Sequence, residues 1–212
     1  MKAGKFISVV ALALFMGVSA SAQSECWTFG IKGGVALNTM PMTTLDPCDK
    51  FKANFGFQGG AYANVYLSDI LMGQVELLYS RKGISTINHA GQIAFDGAAL
   101  EYERDIHYLQ IPVLIGFHSL MDDRLLLMIG PELNVYLGDT IKANYVSIFE
   151  SENYQVNPFN LGISAQSTYL FTDSLGFELK FDFGLTRTFK ASTNDRGHNL
   201  GVQVGLNYRF GY

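Results

Sequence analysis

Apolar residues alternate with polar or small ones over most of the chain. From Leu200 onward Leu200, Val202, Val204, Leu206, Tyr208, Phe210 and Tyr212 take every second position, with Gly201, Gln203, Gly205, Asn207, Arg209 and Gly211 between them. Side chains of a strand point alternately to its two faces, so this segment has one wholly apolar face and cannot sit as a helix. The same pattern runs through Leu175, Phe177, Leu179, Phe181, Phe183 and Leu185, set against Gly176, Glu178, Lys180, Asp182, Gly184 and Thr186. It also opens at Trp27, with Phe29, Ile31, Gly33, Val35 and Leu37 on one face and Thr28, Gly30, Lys32, Gly34, Ala36 and Asn38 on the other. Five further segments repeat it, over 55–67, 70–82, 102–118, 124–137 and 158–171. The spacing therefore predicts eight strands, each longer than the roughly 5–6 residues of an ordinary strand and than the roughly 9–11 that cross a bilayer.

The connections sharpen this. Long segments (39–54, 83–101, 138–157 and 188–197) alternate with short ones (68–69, 119–123 and 172–174), and the short ones are rich in Ser, Asp and Thr, the residues of tight turns. Long and short loops in strict alternation, with an even strand count, predict an all-β, closed, eight-stranded antiparallel up-and-down transmembrane barrel. Its short turns and both termini would be periplasmic and its long loops extracellular. The backbone reason is that a closed sheet pairs every N–H and C=O in lipid, where no water can.

Alternation alone leaves the direction of the faces open, because a soluble barrel that binds an apolar ligand alternates with its apolar face inward. Apolar-out is favoured by the small, mostly uncharged residues of the other face, which suit a narrow packed lumen. Aromatics near the strand ends favour it too: Trp27, Phe29, Phe55, Phe57, Tyr79, Phe117, Phe159, Tyr169, Phe171, Phe210 and Tyr212, as in interfacial girdles. An eight-stranded barrel has room only for side chains inside. Glu76, Glu132, Glu178, Lys180, Asp182 and Arg209, all on the polar face, must then neutralise one another or bridge through water. The expected centre of this network is Glu178, Lys180 and Arg209 on adjacent strands, and so packed a lumen makes a diffusion porin a poor fit.

Ahead of the strands, Lys2 and Lys5 precede an apolar run from Phe6 to Val18 and an Ala20-Ser21-Ala22 cleavage pattern. This reads as a secretory signal peptide over residues 1–22, too short for a spanning helix, leaving one barrel domain over 23–212. Composition agrees: only 16% of residues are charged and 13% are aromatic, with a formal net charge of −4. That excludes a disordered charged tail and supplies no basic footprint for nucleic acid.

Candidate chemistry is sparse. The histidines His89, His107, His118 and His198 form no H-E-x-x-H or other close ligand set, so neither a metal nor a cofactor is expected. His118 beside Ser119, or His198 with Asp195, would serve a lipid-modifying hydrolase only if nucleophile, base and orienter converge. His118 and Ser119 instead fall at a short turn. Cys26 and Cys48 are placed at opposite ends of the first hairpin, far beyond the roughly 7 Å a disulfide tolerates, so both thiols are expected unpaired. The loops remain as binding surfaces: 83–101, with Arg81 and Lys82 at its base and His89, Asp96 and Glu101 within, and 138–157, with Asp139, Tyr145, Phe149, Glu150, Glu152 and Tyr154.

A resemblance fits these features. Gly30-Ile31-Lys32-Gly33-Gly34 opens the first strand, and Tyr108-Leu109-Gln110-Ile111-Pro112-Val113-Leu114 lies in the fourth. Gly130-Pro131, Gly184-Leu185 and the closing Leu206-Asn207-Tyr208-Arg209-Phe210 complete the set, with Ser21-Ala22-Gln23 at the cleavage site. Together they resemble the PorT-like outer-membrane β-barrel family of Bacteroidota-type bacteria over essentially the whole mature chain, and Ile111-Pro112 is the most specific element. The resemblance implies an integral outer-membrane barrel, a partnership with outer-membrane lipid and with the barrel-assembly machinery that reads the aromatic C-terminus, and a link to protein secretion in the family's founding member. Pro112 and Pro131 oppose central strands, so bulges or broken ladder bonds are expected there. Three functions are carried forward: a non-enzymatic envelope, interaction or secretion-accessory barrel, a lipid-modifying enzyme, and a soluble periplasmic ligand carrier.

Overall fold

The structure is a computed structural model that describes residues 27–39, 50–52, 54–88, 100–121, 124–143, 156–188 and 198–210. The signal-peptide segment, Cys26, Cys48, His89 and Asp195 lie outside the described residues. Nine strands form one sheet: β1 (Trp27–Thr39), β2 (Lys50–Lys52), β3 (Asn54–Tyr66), β4 (Leu71–Asn88), β5 (Leu100–Leu120), β6 (Leu125–Ala143), β7 (Phe159–Leu170), β8 (Leu175–Gly184) and β9 (Leu200–Phe210). Every pairing is antiparallel, and the sheet closes because β4 pairs with β5 while β1 pairs with β9. Eight long strands thus make the closed barrel. The ninth, β2, falls within the expected first loop and pairs with β4 beyond the end of β3.

Strand extends into two of the expected long loops. The β4–β5 ladder continues to Asn88↔Leu100 and the β5–β6 ladder to Tyr102↔Ala143. The extensions 83–88, 100–101 and 138–143 lie outside the predicted alternating segments, and backbone pairing needs no apolar alternation to continue there.

The short turns are held by local hydrogen bonds. The Leu71 N–H donates to Ser68 Oγ at 3.1 Å, and the Leu175 N–H to Thr172 Oγ1 at 2.9 Å, so two turns use the same device. Met121, in the third, takes a φ of 51°. The prolines interrupt the ladder without shifting it. Pairing of β4 with β5 skips Ile111 and Pro112, and pairing of β5 with β6 skips Val113 and Leu114, opposite Gly130 and Pro131. The register shifts fall elsewhere, at His107/Tyr108 and Phe117/Leu120. Each proline removes one donor, and the neighbouring strands stay in line.

The faces point as the closed membrane barrel requires. The apolar set is outside: Phe55 is 71% and Phe159 64% exposed, and Ile31, Val35, Val113, Ile129, Leu161, Phe181 and Leu206 share this surface. In water so large an apolar surface would be strongly unfavourable. In lipid it is the matching solvent. Among the described residues no helix is long and apolar enough to cross a membrane; this chain crosses with strands.

The inner face interlocks small with large. Gly60 sits opposite Leu78 and Gly116 opposite Met128. A Cβ on Gly60 would run into the Leu77 carbonyl oxygen, and one on Gly116 into that of Leu127. Glycine at these places lets adjacent strands curve tightly enough to close around a filled interior.

Candidate functional site: the packed lumen and the loop-side sheet

The lumen is layered along its axis. At the turn end, Met72 from β4, Leu114 from β5, Leu126 and Met128 from β6 and Leu170 from β7 form a buried apolar cluster, against which Tyr66 packs. These side chains sit on the inner face where alternation predicts polar residues, and their strands place them all at one level. The result is a dry plug across one side of the turn end. At the loop end, Ile106, Tyr108 and Val156 form a second buried cluster with Tyr136 against it.

Between the two lies a charged layer. Lys32 Nζ reaches Glu76 Oε1 at 2.6 Å, Glu178 Oε2 at 2.7 Å and Gln166 Oε1 at 3.0 Å. Lys180, at 0% exposure, lies 3.1 Å from Glu132, 3.5 Å from Asp182 and 3.7 Å from Glu76. Lys82 stands further off, 3.7 Å from Glu132 and 3.9 Å from Asp182. Ser164 on β7 joins two of the acids, its hydroxyl 2.5 Å from Glu132 and 2.9 Å from Asp182. Gln110 donates to Glu132 at 2.8 Å, and Gln203 donates to Asp182. Among the described residues, the buried cations Lys32, Lys82, Lys180 and, nearer the turn end, Arg209 balance the buried anions Glu76, Glu132, Glu178 and Asp182, while buried Asp105 is paired with Arg81 towards the loops, so the lumen network is formally neutral. Neutrality with many side-chain hydrogen bonds is what allows charges to sit in so little water.

The expected centre at Glu178, Lys180 and Arg209 is therefore displaced. Glu76, Glu132, Glu178, Lys180 and Asp182 do converge, but Arg209 sits nearer the turn end, where it bonds the Tyr62 hydroxyl. The cation seated between Glu76 and Glu178 is Lys32, which closure of β1 against β9 and β3 swings toward them. Lys32 was legible as a cation on the polar face of the first strand, but its sequence distance of 146 from Glu178 hid the contact. The family-motif residues divide in role: Tyr108 and Pro112 point inward, Ile111 and Pro131 occupy the outward positions, and Gly130 lies against Leu114.

Free space in the lumen is small. One cavity of about 20 Å³, lined by Lys82, Tyr108, Glu132, Asn134 and Asp182 among others, lies toward the loops. Another of about 10 Å³ lies by Tyr62, Gln166, Glu178 and Arg209. The first holds about one water molecule.

Of the hydrolase candidates, Asp195 and the Ser119 side chain lie outside the described residues, and the two histidines lie against backbone carbonyls. His118 Nε2 lies 3.1 Å from the Ser68 carbonyl oxygen and its ring meets Tyr66 edge-on at 5.0 Å. His198 pairs its Nδ1 with the Gly184 carbonyl at 3.0 Å and stacks on Phe183. His107 stacks on Tyr79 and shares a 2.7 Å hydrogen bond with its hydroxyl, beside the 2.5 Å Arg81–Asp105 ion pair. Among the described residues no group of three His, Cys, Asp or Glu side chains could hold a metal ion.

A polar, charge-balanced lumen inside an apolar shell of closed antiparallel strands defines an outer-membrane barrel. The family model described as outer membrane protein beta-barrel domain matches residues 21–190, and the chain belongs to that family. The fold is similar to that of Neisserial surface protein A (NspA), at a TM-score of 0.53 and 11% identity, over 86% of this chain and 97% of that one. It is also similar to the outer membrane protein OprG from Pseudomonas aeruginosa, at a TM-score of 0.50 and 10% identity, over 88% of this chain and 97% of that one. No curated protein matches the sequence itself. Family and fold make this an integral outer-membrane protein, and with the apolar surface outward the soluble ligand carrier is set aside.

Proposed function

We propose that the protein is a non-enzymatic outer-membrane barrel whose closed lumen gives a rigid base to an interaction surface on its loop side, within the envelope or as an accessory to a secretion complex. The observation that carries this is the filled interior: among the described residues, a dry layer at the turn end, an ion-pair network at mid-height and cavities no larger than about 20 Å³ along it. In this reading the barrel neither conducts nor catalyses, and its long-loop end is left for function. In this reading residues 1–22 are a cleaved signal peptide, both termini are periplasmic, and the long loops face outward. The PorT-like, Bacteroidota-type relationship rests on the Ile111-Pro112 and Gly130-Pro131 elements. Outer-membrane lipid surrounds the belt, and the barrel-assembly machinery inserts it.

The test is fractionation followed by electrophoresis of unheated and boiled samples, with protease added to intact cells. Outer-membrane recovery, faster unheated migration and cleavage within 89–99 or 144–155 are expected. Cleavage at the short turns in intact cells would reverse the orientation, and ion steps in a planar bilayer would remove the closed lumen.

A further inference from the structure

Lys82 is held less directly than the other lysines of the lumen. Lys32 bonds three side-chain oxygens at 2.6 to 3.0 Å, and Lys180 lies 3.1 Å from its nearest carboxylate. The Lys82 ammonium stands 3.7 Å from Glu132 Oε1 and 3.9 Å from Asp182 Oδ2, past hydrogen-bond reach of both, although its side chain is only 5% exposed. Among the described residues no hydrogen bond reaches it, and the Tyr108 ring lies 6.0 Å away. Glu132 Oε1 is already taken, because the Gln110 and Asn134 amides both donate to it at 2.8 Å. Asp182 Oδ2 accepts from Gln203 and keeps a lone pair. Lys82, both acids and the neutral side chains of Asn134 and Asn160 line the same cavity of about 20 Å³.

We propose that this cavity is a binding site for one ordered water molecule, which carries the link between Lys82 and Asp182. The proposal rests on the filled-lumen reading above and deepens it. A polar contact wider than about 3.5 Å is bridged by water where there is room. A buried water needs a space of at least about 10–15 Å³ and two to four polar partners, and this cavity supplies both. The water accepts from Lys82 Nζ and donates one hydrogen to Asp182 Oδ2, while the side-chain oxygens of Asn134 and Asn160 offer a place for the other. Charge selects water over an ion. Lys32, Lys82, Lys180 and Arg209 already balance the four acids, so an added cation or anion would leave a buried charge uncompensated. The network is then direct at Lys32 and water-mediated at Lys82, which makes its loop-side end looser than its centre.

The test uses the purified full chain in detergent, as wild type and as the variants Lys82→Arg and Lys82→Met. A high-resolution crystal structure of the wild type should show one water peak about 2.7–3.2 Å from both Lys82 Nζ and Asp182 Oδ2. Arginine is longer, and its planar fork reaches into the cavity and donates to the carboxylates directly. Lys82→Arg should therefore lose the peak and keep the wild-type urea midpoint, while Lys82→Met lowers the midpoint. An empty cavity, a peak with the anomalous signal of an ion, or a Lys82 ammonium in direct contact with Glu132 or Asp182 would overturn the proposal. So would a Lys82→Arg barrel that loses as much midpoint as Lys82→Met, because the space for the guanidinium would then be absent. Fractionation, heat shift and planar-bilayer recording decide the underlying function separately. A closed outer-membrane barrel with a dry cavity loses only this inference, and a conducting barrel with the water in place loses only that function.

Discussion

Replacing Lys32 by Met is the sharpest probe of the lumen. Met has nearly the shape of Lys without the charge, so packing is preserved and electrostatics change. In the wild type Lys32 is the shared cation of Glu76 and Glu178, at 2.6 and 2.7 Å, and also donates to Gln166. Lys32→Met leaves two buried carboxylates with one fewer cation, three against four. Removing one partner of a buried pair costs about 3–5 kcal/mol, because the remaining charge is stranded. At a urea slope of about 1–3 kcal/mol/M, a loss of about 4 kcal/mol lowers the unfolding midpoint by roughly 1–4 M. The assay is urea unfolding of the micelle-folded barrel, followed by fluorescence of Trp27 and by loss of the unheated gel shift. Adding Glu178→Gln restores three against three. The double variant should then be more stable than the sum of the two single losses by about 0.5–3 kcal/mol. A loss under about 1 kcal/mol for Lys32→Met, the size of an exposed ion pair, together with no coupling to Glu178, would show a wet lumen and refute the neutral-layer argument.

Lys82→Met should cost clearly less than Lys32→Met in the same assay, because its partners stand at 3.7 and 3.9 Å beside a cavity. Gly116→Ala should block closure and abolish the unheated gel shift, since the new methyl meets the Leu127 backbone, whereas Gly33→Ala should fold normally, its Cβ having only a 3.7 Å neighbour. Thr172→Ala should lower stability by roughly 1 kcal/mol in urea titration through loss of the hydrogen bond to the Leu175 N–H. The wild-type barrel in a planar bilayer should show no discrete ion steps, and steps of nanosiemens size would contradict the plug of Met72, Leu114, Leu126, Met128 and Leu170.

The sequence by itself determined the eight long strands, which residues share a face and the alternation of turns, because period-two patterning is a local property of the backbone pleat. The apolar outer face was legible from Leu200–Tyr212 and Leu175–Leu185, and the short turns from Ser68, Asp69 and Thr172. What it could not show is what depends on closure. The partnership of Lys32 with Glu178, the seat of Arg209 against Tyr62 and the turn-end plug arise only when β1 meets β9 and β4 meets β5, which fixes the stagger of eight strands at once. Leu126, Met128 and Leu170 break the polar inner pattern, but only the levels of their strands reveal that the breaks coincide. The extension of β4, β5 and β6 was hidden for a different reason. Its residues pair through the backbone in segments without hydrophobic alternation, so only the tertiary ladder distinguished strand from loop.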